Sequence, residues 1–245
     1  MWFDYLVWGW IATAIITFGF LLKIKQPYGR HTSSSWGPMI SNNWGWFWME
    51  LPAMLIMPWL SLSGEMQLGT VEYTLVGFWL AHYINRTLIF PLRIKTRGKK
   101  MPLAIVLSAI FFNAINGFVN GYYLGNVKTI QSEVDTWFVI GLLLFALGMQ
   151  INQWADNRLI QLRKESDGYS IPIGGLYRWV SCPNYLGEII EWVGFAIVAV
   201  SWPAASFAIW TAANLIPRAL NHHDWYHTKF ETYPKERKAV IPYLV

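Results

Sequence analysis

The chain has 245 residues, of which 54% are hydrophobic, 17% aromatic and only 13% charged. Soluble domains carry about 25% charged residues, so this composition excludes an ordinary water-soluble fold and points to a membrane-embedded one. The single cysteine, Cys182, excludes an intrachain disulfide and any cysteine-rich metal site.

Apolar runs at roughly 5–22, 44–62, 69–91, 102–124 and 136–153 each match the ~20 helical residues that cross a ~30 Å hydrocarbon layer. A sixth run, 185–216, would make one helix of ~48 Å, too long for a single span. It is interrupted by "SWP" at 201–203, where Pro203 suits the first turn of a new helix. It therefore reads as a tight hairpin of two spans, 185–201 and 203–219. The sequence predicts an all-α, polytopic integral membrane protein of seven transmembrane helices, forming one domain over 1–245. Sixteen Trp residues, many near the ends of these runs, fit an interfacial aromatic belt.

The basic residues set the orientation. With seven alternating spans, one side receives the segments 23–43, 92–101 and 154–184 and the tail from 218. Those pieces hold all 19 Lys and Arg residues except Arg86 and Lys128. The Lys/Arg-rich side is cytoplasmic, so the N-terminus is expected outside and the C-terminus inside. This also accounts for the net charge of +5 without an acidic partner such as a nucleic acid. The first 25 residues lack a basic leader and a small-residue cleavage site, and are expected to be a span rather than a signal peptide. No GxGxxG or GxxxxGK[ST] pattern occurs, so any nucleotide must be held by span ends and cytoplasmic segments.

Ionisable residues within spans mark function by default. Glu50 lies well inside the second run with no Lys or Arg within ten residues. Tyr83 and Arg86 sit near the cytoplasmic end of the third, beside His82 and Asn85. Asn113 and Asn116 occupy the fourth. Asn152 and Asp156 end the fifth, four apart on one face, and Glu188 and Glu191 open the sixth. Arg218, His222 and Tyr226 follow at i, i+4 and i+8, one helical stripe. All but Glu50 and the two Asn of the fourth span lie toward the cytoplasm, which suggests a polar cavity open to that side. Plain structural alternatives exist. Arg86 could snorkel to the interface, Glu188 and Arg218 could form an ion pair, and interhelical hydrogen bonding is the preferred reading for Asn113 and Asn116. His223 and His227, four apart with His222 adjacent, look like a histidine box. The chain has only five His, too few for a di-iron oxygenase with several such boxes, and no metal is expected.

Three stretches, "IPIGGLYRWVSCPN", "NYLGEIIEWVGFA" and "HHDWYHTKFETYPKERKAVIPYLV", resemble the C-terminal half of the steroid 5-alpha-reductases. The order and spacing hold across about 150–245. "ELP" at 50–52 and "HYINRT" at 82–87 fit the family's second and third spans. The resemblance implies a membrane enzyme, of the family's bacterial type, that takes NADPH from the cytoplasmic side and reduces the C4–C5 double bond of a 3-oxo-4-ene steroid. By that resemblance Asn152, Asp156, Arg163, Tyr169, Asn184, Glu188, Trp192, Arg218, His222 and Tyr226 bind the cofactor. Glu50 and Tyr83 hold the substrate carbonyl. Glu188 would face the nucleotide, while Glu191, one turn deeper, could pair with Arg86 or Arg218.

Other readings stay open at this level. "CPNYLGE" also resembles isoprenylcysteine-type membrane methyltransferases, which use S-adenosylmethionine; related lipid enoyl or polyprenol reductases share the architecture. A sterol carrier or receptor would need an apolar pocket but no polar cytoplasmic ring. Glu50 with Tyr83, and Arg163 with Lys164 as a grip on an extra phosphate, favour the reductase. The expected partners are a steroid or other lipid enone and membrane lipid, with a monomeric chain. The sequence does not choose between a bacterial inner membrane and the endoplasmic reticulum.

Overall fold

The computed structural model describes residues 1–128 and 133–245. Among the described residues the chain is mostly helical, with seven long helical segments, one on each of the first five apolar runs and two on the run 185–216. They are α1 (Trp2–Leu21), α2 (Asn42–Leu62), α3 (Thr70–Ile84) prolonged by a π-helical turn (Asn85–Ile89) and the short α4 (Phe90–Arg93), α5 (Leu103–Tyr122) with a π-helical turn (Tyr123–Val127), α6 (Thr136–Glu165), α7 (Pro183–Ala199) and α8 (Trp202–Lys229). Three of them, Trp2–Leu21, Leu103–Val127 and Thr136–Glu165, are by length and composition able to cross a membrane.

Three details differ from the expectation. A small antiparallel pair, β1 (Met39–Ser41) with β2 (Lys100–Pro102), joins segments expected to be plain loops. The pairing gives partners to backbone groups that no helix satisfies. Second, α6 runs twelve residues past the end of the apolar run, to Glu165, because hydropathy sets the span while propensity sets the helix. No Gly or Pro interrupts the chain there, and Arg163 and Lys164 suit its C-terminal turn. Arg163, expected in a loop, is therefore helical. Third, α8 continues to Lys229, so the stripe of Arg218, His222 and Tyr226 lies on one unbroken helix. The hairpin at "SWP" is present. Val200 takes the left-handed φ of 43°, a region that β-branched residues rarely adopt, and Ser201 Oγ caps the new helix from Ala204 N at 3.4 Å.

The described residues group into two compact units. One comprises Gln26–Gly141 and Phe195–Ala204. Its centre is the packing of α2 on α5, made close by three glycines at helical spacing, Gly117, Gly121 and Gly125. A methyl group at Gly121 would stand 2.6 Å from the carbonyl oxygen of Met57, and one at Gly125 would meet the Leu60 carbonyl. Small residues four apart let helix backbones approach in this way. At the far end of α3, Glu72 accepts from Gly69 N at 2.9 Å and pairs with Lys128 Nζ at 2.8 Å. Lys128 is the one basic residue of the side expected to face away from the cytoplasm, and Glu72 neutralises it.

The other unit comprises Met1–Lys25, Leu142–Gly194 and Ala205–Val245. Here α6 and α7 touch backbone to backbone: Gly148 faces the backbone of Glu191, and a methyl at Gly187 would stand 2.5 Å from Asn152 N. The C-terminal tail folds back on α7 and α8, with Lys238 N donating to Trp179 O at 2.8 Å and Cys182 N to Ala239 O at 3.0 Å. Cys182, Ala219, Ala239 and Val240 form the core of that contact.

The glycine spacing sets an ordered expectation. Gly121→Ala forces the α2 backbone to move and should cost about 1–3 kcal/mol of stability, as overpacking does. Gly117→Ala meets the Ile56 side chain at 3.2 Å and the Met57 backbone nitrogen at 3.4 Å, looser contacts than at Gly121, and should cost less. Thermal melts of the two variants in detergent check this; a Gly121→Ala protein as stable as wild type would contradict the close approach.

Candidate active site

The first polar group is built on α2, α3 and α5. Glu50 lies on α2 two residues before Pro52, one of two prolines within that helix. Each proline removes one N–H from the helical ladder, freeing the carbonyls of Trp48 and Met54, and the carbonyls beside these two accept from neighbouring helices. Asn113 Nδ2 donates to Met49 O at 2.6 Å, and Trp79 Nε1 donates to Ala53 O at 2.8 Å. The same Asn113 amide donates to Glu50 Oε2 at 3.1 Å, and its Oδ1 accepts from the Tyr83 hydroxyl at 3.4 Å. Asn113 thus bridges Glu50 and Tyr83. Tyr83 and Asn113 are buried and Glu50 is half-buried. The Tyr83 ring is fixed by Trp79 and His82, each with its ring centroid 5.0 Å away.

The interhelical role expected for Asn113 is present, and it is also what joins the two expected carbonyl-binding residues. Nothing in the spacing of the sequence pairs Asn113 with Glu50; the only signal was its polarity within an apolar run. Asn116 Nδ2 donates within its own helix, to Phe112 O at 2.8 Å. Two residues after Tyr83 the helix widens into a π-turn, a feature often found at functional sites. On that turn the Arg86 guanidinium lies 4.8 Å from the centroids of both the Trp46 and Phe90 rings, a cation–π arrangement.

The second polar group is built on α6, α7 and α8. The backbone contact at Gly187 brings Asn152 beside the start of α7. There Asn152 Nδ2 donates to Asn184 O at 3.0 Å and to Glu188 Oε2 at 3.3 Å. Asn184 Nδ2 returns to Asp156 Oδ1 at 3.0 Å. Four residues expected in one site are thus one hydrogen-bonded net. On α8, Arg218 Nε donates to the Tyr185 hydroxyl at 2.8 Å, and that oxygen is 3.1 Å from His222 Nε2. Tyr185 was not singled out from the sequence. Its signal was its place in "PNYLGE", between two expected cofactor residues.

Arg163 Nη1 donates to Gly168 O at 2.9 Å, and its guanidinium lies 3.8 Å from the centroid of the Tyr169 ring. Tyr169 contacts Trp225 edge-on at 4.8 Å, Trp225 is 5.3 Å from Tyr226, and Tyr226 stacks on Tyr233 at 5.0 Å. Trp192 is buried between Phe145 and Phe207, with ring centroids 6.1 and 4.4 Å away. Glu191 is fully buried where Gly148 meets it. Near the chain's end, burial raises the phenol of Tyr233 above its ordinary range. Burial and then His227 lower the imidazole of His223. As a donor set, this unit offers guanidiniums, which grip phosphates bidentately, together with carboxylates and amides suited to ribose hydroxyls and a carboxamide.

A family model described as 3-oxo-5-alpha-steroid 4-dehydrogenase matches residues 99–245. The chain belongs to this steroid 5-alpha-reductase family. The chain is also similar over nearly its whole length to named relatives. It is 40% identical to steroid 5-alpha-reductase DET2 of Solanum lycopersicum over 248 residues, 99% of this chain and 96% of the relative. It is 42% identical to the DET2 protein of Arabidopsis thaliana, covering 91% and 90% of the two chains. It is 39% identical to 3-oxo-5-alpha-steroid 4-dehydrogenase 1 of Homo sapiens, covering 91% and 87%. These relatives are plant and mammalian, and nothing in them supports the expectation of a bacterial-type member. Membership of the steroid 5-alpha-reductase family leaves the methyltransferase and carrier readings without support.

Removing the Tyr185 hydroxyl isolates its structural share. Tyr185→Phe removes the hydroxyl that accepts from Arg218 Nε at 2.8 Å, and loss of a hydrogen bond to a charged group costs about 1.5–3 kcal/mol. The melting temperature without cofactor should fall accordingly; no change would mean the hydroxyl is not needed to hold Arg218.

Proposed function

We infer that this chain is an NADPH-dependent oxidoreductase that reduces the C4–C5 double bond of 3-oxo-4-ene steroids to 5α products. The observation that carries this is the Glu50–Asn113–Tyr83 bridge in a chain of the steroid 5-alpha-reductase family. The proposed topology is seven spans with the N-terminus outside and the C-terminus cytoplasmic, in a single reductase domain.

Asn152, Asp156, Asn184, Glu188, Arg218 and His222 would hold NADPH, with Arg163 and Tyr169 beside its extra phosphate and Trp192 and Tyr226 as aromatic walls. The donor chemistry of these residues suits that cofactor. Bound there, NADPH supplies the hydride. The chain's own part lies at the steroid's 3-keto oxygen. Reduction at C5 drives charge through the enone onto that oxygen as an enolate. Tyr83 turns its hydroxyl from Asn113 to the oxygen, and Glu50 in its protonated form donates a second hydrogen bond. Donors aimed where charge develops stabilise the transition state more than the ground state. Asn113 holds Glu50 Oε2 and leaves the other carboxyl oxygen for the substrate. Water then protonates C4.

The test is single-turnover hydride transfer with the cofactor bound. Loss of one such donor costs about 10²–10³ in rate. Tyr83→Phe and Glu50→Ala should each lose about that much with NADPH affinity intact, and Glu50→Gln should keep more activity than Glu50→Ala because the amide still donates. Near-normal rates in Tyr83→Phe, or losses traced wholly to weaker NADPH binding, would remove the pair from the mechanism.

Arg163 tests the cofactor assignment separately. A charge-assisted hydrogen bond contributes about 1.5–3 kcal/mol, so Arg163→Ala should raise the NADPH Michaelis constant roughly ten- to hundredfold and leave turnover at saturation little changed. An unchanged constant, or equal use of NADH by the wild-type protein, would contradict the assignment.

A further inference from the structure

Four side chains near the C-terminal end of α8 form a hydrogen-bonded row, and none of them takes part in the proposed reduction. Ser181 Oγ is 2.7 Å from the Tyr233 hydroxyl and 2.6 Å from His223 Nδ1. His223 Nε2 in turn stands 3.1 Å from His227 Nε2. Ser181 and Tyr233 are buried, His223 is half-buried and His227 is exposed. The i, i+4 spacing places both imidazoles on one helix face, with ring centroids 4.5 Å apart.

Two imidazole nitrogens this close, held by a helix on one side and a buried serine on the other, have the separation of two ligands on one ion. With bonds of 2.0–2.1 Å, ligand nitrogens stand roughly 3.4 Å apart on a tetrahedral ion and roughly 2.9 Å apart at the right angle of a tetragonal one. The observed spacing lies between. We infer that His223 and His227 form a bidentate site for a divalent transition-metal cation of the Cu2+, Ni2+ or Zn2+ class.

The surroundings supply what such a site needs. In its Nδ1–H tautomer His223 donates to Ser181, which donates onward to the Tyr233 oxygen. This leaves the His223 Nε2 lone pair for the metal and fixes the ring's orientation, as outer partners of metal-bound histidines do. The exposed His227 gives the ion access from solvent. Among the described residues no set of three or more His, Cys, Asp and Glu comes together. The remaining positions on the ion therefore fall to water or an added ligand. Imidazole nitrogens select borderline transition metals over Mg2+ and Ca2+, which prefer oxygen. Binding replaces the hydrogen bond between the two rings by two metal–nitrogen bonds across one turn of α8. The site stands whether or not the reductase assignment holds.

The experiment is titration of the purified full-length chain, in detergent, with Cu2+ by calorimetry and by electron paramagnetic resonance. Wild-type protein should bind one Cu2+ with a two-nitrogen hyperfine signature, Ni2+ more weakly, and Mg2+ not at all. His227→Leu should lose this binding while melting like wild type in the absence of metal. Ser181→Ala should weaken it roughly tenfold or more, the cost of removing an outer partner. The nitrogen count on wild-type protein tests the site even where a variant folds poorly. No Cu2+ binding by wild type, a single-nitrogen spectrum, or undiminished affinity in folded His227→Leu would overturn the assignment.

Discussion

Close backbone approach, permitted by glycine, is the constraint on which both polar groups depend. In one unit, Gly117, Gly121 and Gly125 let α2 and α5 pack with almost nothing between them. Only then can the short Asn113 amide reach from α5 to Met49 O and Glu50 Oε2. In the other unit, Gly148 and Gly187 bring α6 against α7, and the Asn152 amide spans the remaining gap to Asn184 and Glu188. Lipid gives apolar helices little reason to associate, so such packing and the polar bonds it allows hold membrane helices together.

The same arrangement explains how carboxyl groups can stand in an apolar chain. Glu50 and Glu188 each accept a hydrogen bond from an asparagine amide, and Asp156 accepts one from Asn184. A buried polar group is costly chiefly when it lacks a partner. A neutral amide satisfies one carboxyl oxygen without placing a full opposite charge there, and at Glu50 the Asn113 amide takes Oε2.

The helical segments were legible because each apolar run matched a membrane thickness, and the interruption at "SWP" marked the hairpin. What hydropathy could not give was helix length. The extensions of α6 and α8, which carry Arg163, His222 and Tyr226, depend on polar sequence that still favours helix. The β1–β2 pair is three residues long on each side, too short for a periodic signal. The candidate residues were read mostly through resemblance to a family; of the two connectors, Asn113 was legible as an interhelical hydrogen bonder but its partners were not, and Tyr185 was not legible at all. Asn113 and Tyr185 act by touching residues distant in sequence, and no spacing rule announces such contacts. The glycine stripe "GFVNGYYLG" was on the page as a pattern of fours, but its meaning depends on which helix lies opposite.

The most direct measurement is turnover of testosterone and progesterone by the purified chain with NADPH, with the configuration at C5 of each product determined. The account predicts reduction of both at C4–C5, with 5α configuration. No reduction, a 5β product, or methyl transfer from S-adenosylmethionine in its place would contradict it.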